Sequence, residues 1–126
     1  MRHERHYTLA EASATLPWVE ERLAAMRAAR ERLTDSEARQ ALSAASPGNG
    51  GGGPGRHVGE AFVELQLGLG AFNAREIVLR DLDRGLIDFP SLRDGEEVYL
   101  CWVESEEDGI RFWHDLDAGY AGRQPL

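Results

Sequence analysis

Along the first third of the chain, apolar residues return every three or four positions. Trp18, Val19, Leu23, Met26, Leu33, Ala38 and Leu42 carry the repeat, with Glu20, Glu21, Arg27, Arg30 and Glu31 between them. That period describes an amphipathic helix with one face turned to a core. Thr8 and Glu11 stand at capping-box spacing, so the helix is predicted to start at Leu9. Pro17 lacks an amide and restrains the two residues before it, which predicts a short first helix or a kink and a restart with Pro17 in the first turn. From there one long helix is predicted to run to about residue 45. Residues 46–56, almost all Gly, Pro, Ser and Asn, have no apolar surface to bury and read as a flexible linker. They do not read as a phosphate loop, because no strand precedes them and no Lys-Ser/Thr follows. Val58, Phe62, Leu65, Leu69 and Phe72 then resume helical spacing. A second helix is predicted at about 57–72, packed antiparallel on the first.

From Glu76 the period changes to two. Ile77 with Leu79, Leu86 with Asp88, Val98 to Val103 and Ile110 to His114 read as four short strands within a β region at 76–115. Arg84-Gly85, Asp94-Gly95 and Asp108-Gly109 separate them as turns. A short tail, 116–126, follows. The predicted class is α+β in one domain over residues 1–126: a long antiparallel helical hairpin with a small C-terminal antiparallel β-meander.

Several phrases of the chain stand together in a known pattern. Leu79 to Ser91, Val98 to Trp102, Phe112 to His114 and Gly119 to Pro125 resemble a bacterial domain-of-unknown-function family, number 2203. Tyr7 to Ala12 and Leu16-Pro17-Trp18 are similar to that family too, so the resemblance spans nearly the whole chain. It carries no established activity. The Gly-rich stretch and the long turn from Glu104 to Asp108 depart from its pattern, at places where length varies harmlessly.

Composition narrows the partners. At 126 residues with a net charge of −8, the chain opposes nucleic acid and anionic membranes, since both require clustered positive charge. No apolar run approaches the ~20 residues that span a bilayer, and residues 1–6 lead into a polar helix instead of a signal core. A soluble, cytoplasmic protein is expected. One cysteine, Cys101, excludes an internal disulfide and any metal site built from cysteines alone.

The candidate chemistry lies in a phrase that occurs twice, Asp81-Leu82-Asp83-Arg84-Gly85 and Asp115-Leu116-Asp117-Ala118-Gly119, the second entered from His114. Asp81, Asp83, Asp88, His114, Asp115, Asp117 and Arg123 are the candidate ligand-binding residues. His114, Asp117, Asp81 and Asp83 are the candidate metal ligands, because one imidazole with several carboxylates suits one hard or borderline divalent cation. The phrase is not an EF-hand: the later ligand positions and the terminal Glu are missing. The bland reading makes each phrase a polar turn whose Asp side chains bond local amides. Cys101, in mid-strand beside Trp102, reads as a buried thiol and His114 as a buried, satisfied histidine. Arg123 is a candidate clamp for an anion or a pin for the C-terminal tail.

Taken together, these residues describe a binding or assembly module with an acidic Asp/His surface site, not a recognisable enzyme. The alternative is a small metal-dependent hydrolase that uses the same cluster. The apolar stripe of the long helix outruns the meander, which predicts a homodimer or a protein partner through that helix.

Overall fold

A computed structural model of the chain describes residues 1–43 and 56–126. The predicted linker lies outside the described residues, apart from Arg56, as does the end of the first predicted helix at 44–45. Helix α1 spans Leu9–Arg30, α2 Asp35–Ser43 and α3 Arg56–Ala74. Strands β1 (Val78–Asp81), β2 (Leu86–Arg93), β3 (Glu96–Val103), β4 (Phe112–Asp115) and β5 (Gln124–Pro125) follow. They form one sheet in sequence order, with every neighbouring pair antiparallel. Among the described residues, no helix is long and apolar enough to cross a membrane.

The capping box forms: the Thr8 hydroxyl accepts the Glu11 amide at 3.1 Å, and the Glu11 carboxylate accepts the Thr8 amide at 2.8 Å. Pro17 does not restart the helix, which runs through it. Ser13, whose carbonyl loses its helical donor to Pro17, is exposed, so that carbonyl is open to solvent in place of the missing amide. The predicted helix over 9–45 is instead two helices. A second capping box ends it: the Thr34 hydroxyl accepts the Glu37 amide at 3.2 Å, and Glu37 accepts the Thr34 amide at 2.8 Å. Leu33, buried at the corner, keeps the apolar repeat going across the break.

Helix α3 runs antiparallel to α1. Trp18 meets the Phe72 ring edge-on at 5.2 Å, Met26 lies against Gly68, and Arg32 pairs with Glu60. The stripe of α1 is consumed in this contact and against the sheet: Val19, Leu23, Met26 and Ala29 are buried. The sheet turns Ile87, Phe89, Leu100 and Trp102 to the helices, and these join Leu65, Phe72 and Ile77 in one core. Arg27 links the layers, donating from Nε to the Leu82 carbonyl at 3.0 Å and pairing with Glu104.

The tail carries a strand that alternation did not reveal. Gln124–Pro125 pairs with β4, and the Leu126 amide reaches the Arg111 carbonyl at 2.9 Å. Pro90 sits in a central strand without cost to the ladder. Its bonding side faces beyond the end of β1, where Tyr7 supplies only a donor, to the Pro90 carbonyl at 2.7 Å.

Two helical glycines separate by environment. A Cβ on Gly68 would lie 2.5 Å from the Met26 Cγ, whereas one on Gly70 would meet nothing within 4 Å. Gly68→Ala is therefore expected to destabilise by about 1–3 kcal/mol through overpacking, and Gly70→Ala to stabilise by about 0.5–1 kcal/mol. Urea unfolding followed by circular dichroism measures both, and equal effects would contradict the close α1–α3 approach.

Candidate functional site

Strand alternation gives the sheet a second face, turned away from the helices. Asp88 stands opposite Cys101, and Tyr99 opposite His114, so these four side chains project to that outer side. No helix covers them. The cover is the first six residues on one flank and, on the other, residues 116–123, a turn and the single 3-10 turn Tyr120–Gly122.

At the centre is His114, with no exposed surface. Its Nδ1 lies 2.7 Å from the Asp115 carbonyl oxygen, and its Nε2 lies 3.0 Å from Asp88 Oδ1. Asp88 is itself 1% exposed, and its other oxygen accepts from Arg80 Nε at 2.9 Å. Arg80 continues over the Tyr99 ring, 5.2 Å from its centroid. Cys101 completes the cluster. The ligand atoms of Asp88, Cys101 and His114 all lie within 4.8 Å of one another, and all three residues are buried. Burial pushes the Cys101 thiol up to about 12, and the Asp88 carboxylate adds to the shift. A cavity of about 370 Å³ opens onto the cluster, lined among others by Arg2, Arg80, Asp88, Cys101 and Tyr120.

The N-terminal segment is strapped down by two carboxylates. Glu97 accepts from the amides of Arg2 at 2.6 Å and His3 at 2.9 Å, and meets His6 Nε2 at 2.7 Å. Glu76 accepts from the amides of Glu4 and Arg5 and lies 3.3 Å from His3 Nδ1. Glu76 holds a positive φ of 57°, a conformation that costs a non-glycine residue about 1–2 kcal/mol. Its carboxylate does what a glycine there has no means to do. The Arg5 amide is the main reason that Glu76 stays below the usual carboxylate range. His3 Nε2 reaches the Tyr99 hydroxyl at 2.6 Å, joining the strap to the outer face.

The other predicted residues are dispersed. The two Asp-Leu-Asp-x-Gly phrases fold as like turns, each ending in a glycine at φ 66°. Asp81 caps its own turn, accepting the Arg84 amide at 3.0 Å. Asp115 serves through its backbone carbonyl, which accepts the Ala118 amide as well as facing His114. Asp117 is exposed and pairs with Arg2 at 3.0 Å. Asp83 borders a different depression, of about 650 Å³, with Arg27, Arg84, Glu104, Tyr120 and Arg123. Arg123 pairs with Glu106 at 2.7 Å and lies over the Phe112 and Tyr120 rings, which pins the tail to the sheet. Of the candidates, Asp88 and His114 come together. Asp81, Asp83 and Asp117 do not join them, because each is held at the tip of its turn by a local amide, a cation or solvent.

Arg80 is what sequence reasoning missed; Cys101, read there as a buried thiol, is buried and is the third member of the cluster. A signal for Cys101 exists: a two-residue Asp94-Gly95 hairpin pairs Arg93 with Glu96, and counting back along both strands brings Asp88 opposite Cys101.

A family described as "uncharacterized conserved protein (DUF2203)" matches residues 5–126. No curated protein and no solved structure matches the chain.

The strap has a pH signature. Burial disfavours the charged form of Glu97, yet the bonds from His6 and from the His3 and Arg2 amides outweigh it and hold the carboxyl at about 2. A carboxyl lowered on folding contributes stability above its unfolded value of 4.5, lost as pH falls toward about 2. Melting temperatures of the parent and Glu97→Gln are expected to differ at neutral pH and to converge across that window. Parallel curves would show that Glu97 does not hold the strap.

Proposed function

The chain belongs to the DUF2203 family, and we propose that it is a binding module, not an enzyme, one that holds a divalent cation between Asp88 and His114 on the outer face of its sheet. Hydrogen-bond logic at His114 carries the reading. The Asp115 carbonyl only accepts, so Nδ1 donates to it, and Nε2 is left facing the Asp88 carboxylate, 3.0 Å away. Two acceptors this close, both buried, require a cation between them. A shared proton meets that need in the 3.0 Å contact, and a metal ion that displaced the proton would meet it too.

The surroundings favour holding over turnover. A general base has to reach its substrate, and His114 is buried with both nitrogens engaged. A nucleophilic cysteine has to be a thiolate near neutral pH, and the Cys101 thiol is pushed up to about 12.

The experiment is elemental analysis of untagged protein purified without chelator, then dialysed against Zn²⁺ and Mn²⁺. Near-stoichiometric metal and a raised melting temperature are expected in the parent, with both lost in folded Asp88→Asn. A parent that binds neither ion would end the reading.

An assembly role has one observation behind it. The face of α3 away from α1 carries Val63 and Leu67, 43% and 58% exposed. We expect a dimer by light scattering that Leu67→Glu converts to a monomer with unchanged helical content by circular dichroism and a melting temperature that no longer depends on concentration. A monomeric parent would exclude it.

A further inference from the structure

We propose that the site takes a borderline transition metal, zinc(II) by its donor set, with Cys101 as the third protein ligand beside Asp88 and His114 and a fourth position open to the cavity. The inference rests on the cation reading and names the ion class.

Among the described residues, Asp88, Cys101 and His114 are the group of potential ligands that lies close enough together to hold one ion. Zinc bonds thiolate at ~2.3 Å and imidazole or carboxylate at ~2.0–2.2 Å, so tetrahedral donors stand roughly 3.3–3.6 Å apart. The three donor atoms lie within 4.8 Å of one another, so that geometry needs closures of up to about 1.2–1.5 Å, while the Asp88–His114 pair opens slightly from 3.0 Å. One sulfur, one nitrogen and one oxygen suit zinc. Calcium and magnesium demand shells of six or more oxygens, which this pocket does not offer.

Two contacts outside the triad prepare it for an ion. The Asp115 carbonyl accepts a hydrogen bond from Nδ1 and so aims Nε2 at the site. Arg80 holds Asp88 Oδ2 and leaves Oδ1 toward the imidazole. Metal-binding histidines and carboxylates are oriented by partners of these kinds. Both Asp88 and Cys101 line the cavity of about 370 Å³, so a three-ligand ion has one side free for water. On loading, the thiol proton and the proton shared by Asp88 and His114 leave to solvent. Cysteinate and aspartate then balance the ion's two charges.

Cobalt(II) tests the assignment by colour. The whole protein, untagged and stripped by chelator, is titrated with Co²⁺ and followed from the near-ultraviolet to the visible. A thiolate-to-cobalt charge-transfer band is expected, with the intense visible envelope of a four-coordinate ion. Cys101 is the chain's one cysteine, so the band assigns itself without a variant. Arg80→Met is expected to keep the band and to weaken Zn²⁺ binding by about 10–100-fold. Cobalt bound without the band would overturn the thiolate ligand and leave the cation reading intact. A folded protein that binds no cobalt would overturn both.

Discussion

The turn at Asp94-Gly95 sets the register on which both faces of the sheet depend. Both residues take positive φ, 53° and 82°, the conformation of the two-residue hairpins that match strand twist. Arg93 then pairs with Glu96, and every later pair along β2 and β3 follows: Phe89 with Leu100, Asp88 with Cys101, Ile87 with Trp102. Because side chains alternate, a slip of one residue would exchange the faces. Phe89 and Trp102 would leave the helix-covered core, and Asp88 would enter it. Burial of the large apolar side chains enforces the register, and the register in turn brings a carboxylate and a thiol together on the other side.

That other side is closed by polar contacts instead of a helix layer. The strap of residues 2–6 buries little apolar surface and is held by carboxylates that accept backbone amides, a type of bond stronger than its neutral counterpart. Among the described residues, no buried side-chain nitrogen or oxygen lacks a partner, which keeps the desolvation penalty of so polar an interior in check. Glu76 shows the balance. Its left-handed backbone ends α3, where the Ile77 amide closes onto the Phe72 carbonyl at 3.0 Å, and its side chain holds the amides of Glu4 and Arg5.

Much of this was legible in the order of residues. The change from helical to alternating period falls at Glu76, the first capping box forms as spacing implied, and the Asp-Leu-Asp-x-Gly phrases are turns in which Asp81 bonds a local amide. The break after Arg30 was hidden because Leu33, Ala38 and Leu42 keep a nearly helical beat across it, although Thr34-Asp35-Ser36-Glu37 repeats the capping-box pattern. Strand β5 was illegible: two residues have no period, and Gln124–Pro125 is held by pairing with β4. Asp88 and His114 were named from their chemistry. Their meeting was not readable, because the register of β3 with β4 depends on the irregular segment from Glu104 to Arg111, where no two-residue turn fixes the count.

The Asp88–His114 pair lies outside the apolar core that joins the sheet to the helices. Replacing buried ionic groups by apolar ones of similar volume is often neutral or stabilising, and the same face already packs Leu86, Cys101 and Val103 as an apolar cluster. The helix-facing core is complete without it. What the polar cluster contributes, and apolar packing lacks, is direction. A carbonyl fixes the imidazole tautomer, a guanidinium fixes one carboxylate oxygen, and the hairpin register fixes the thiol. Three donors of different softness thus converge beside an opening, an arrangement that a hydrophobic core does not need.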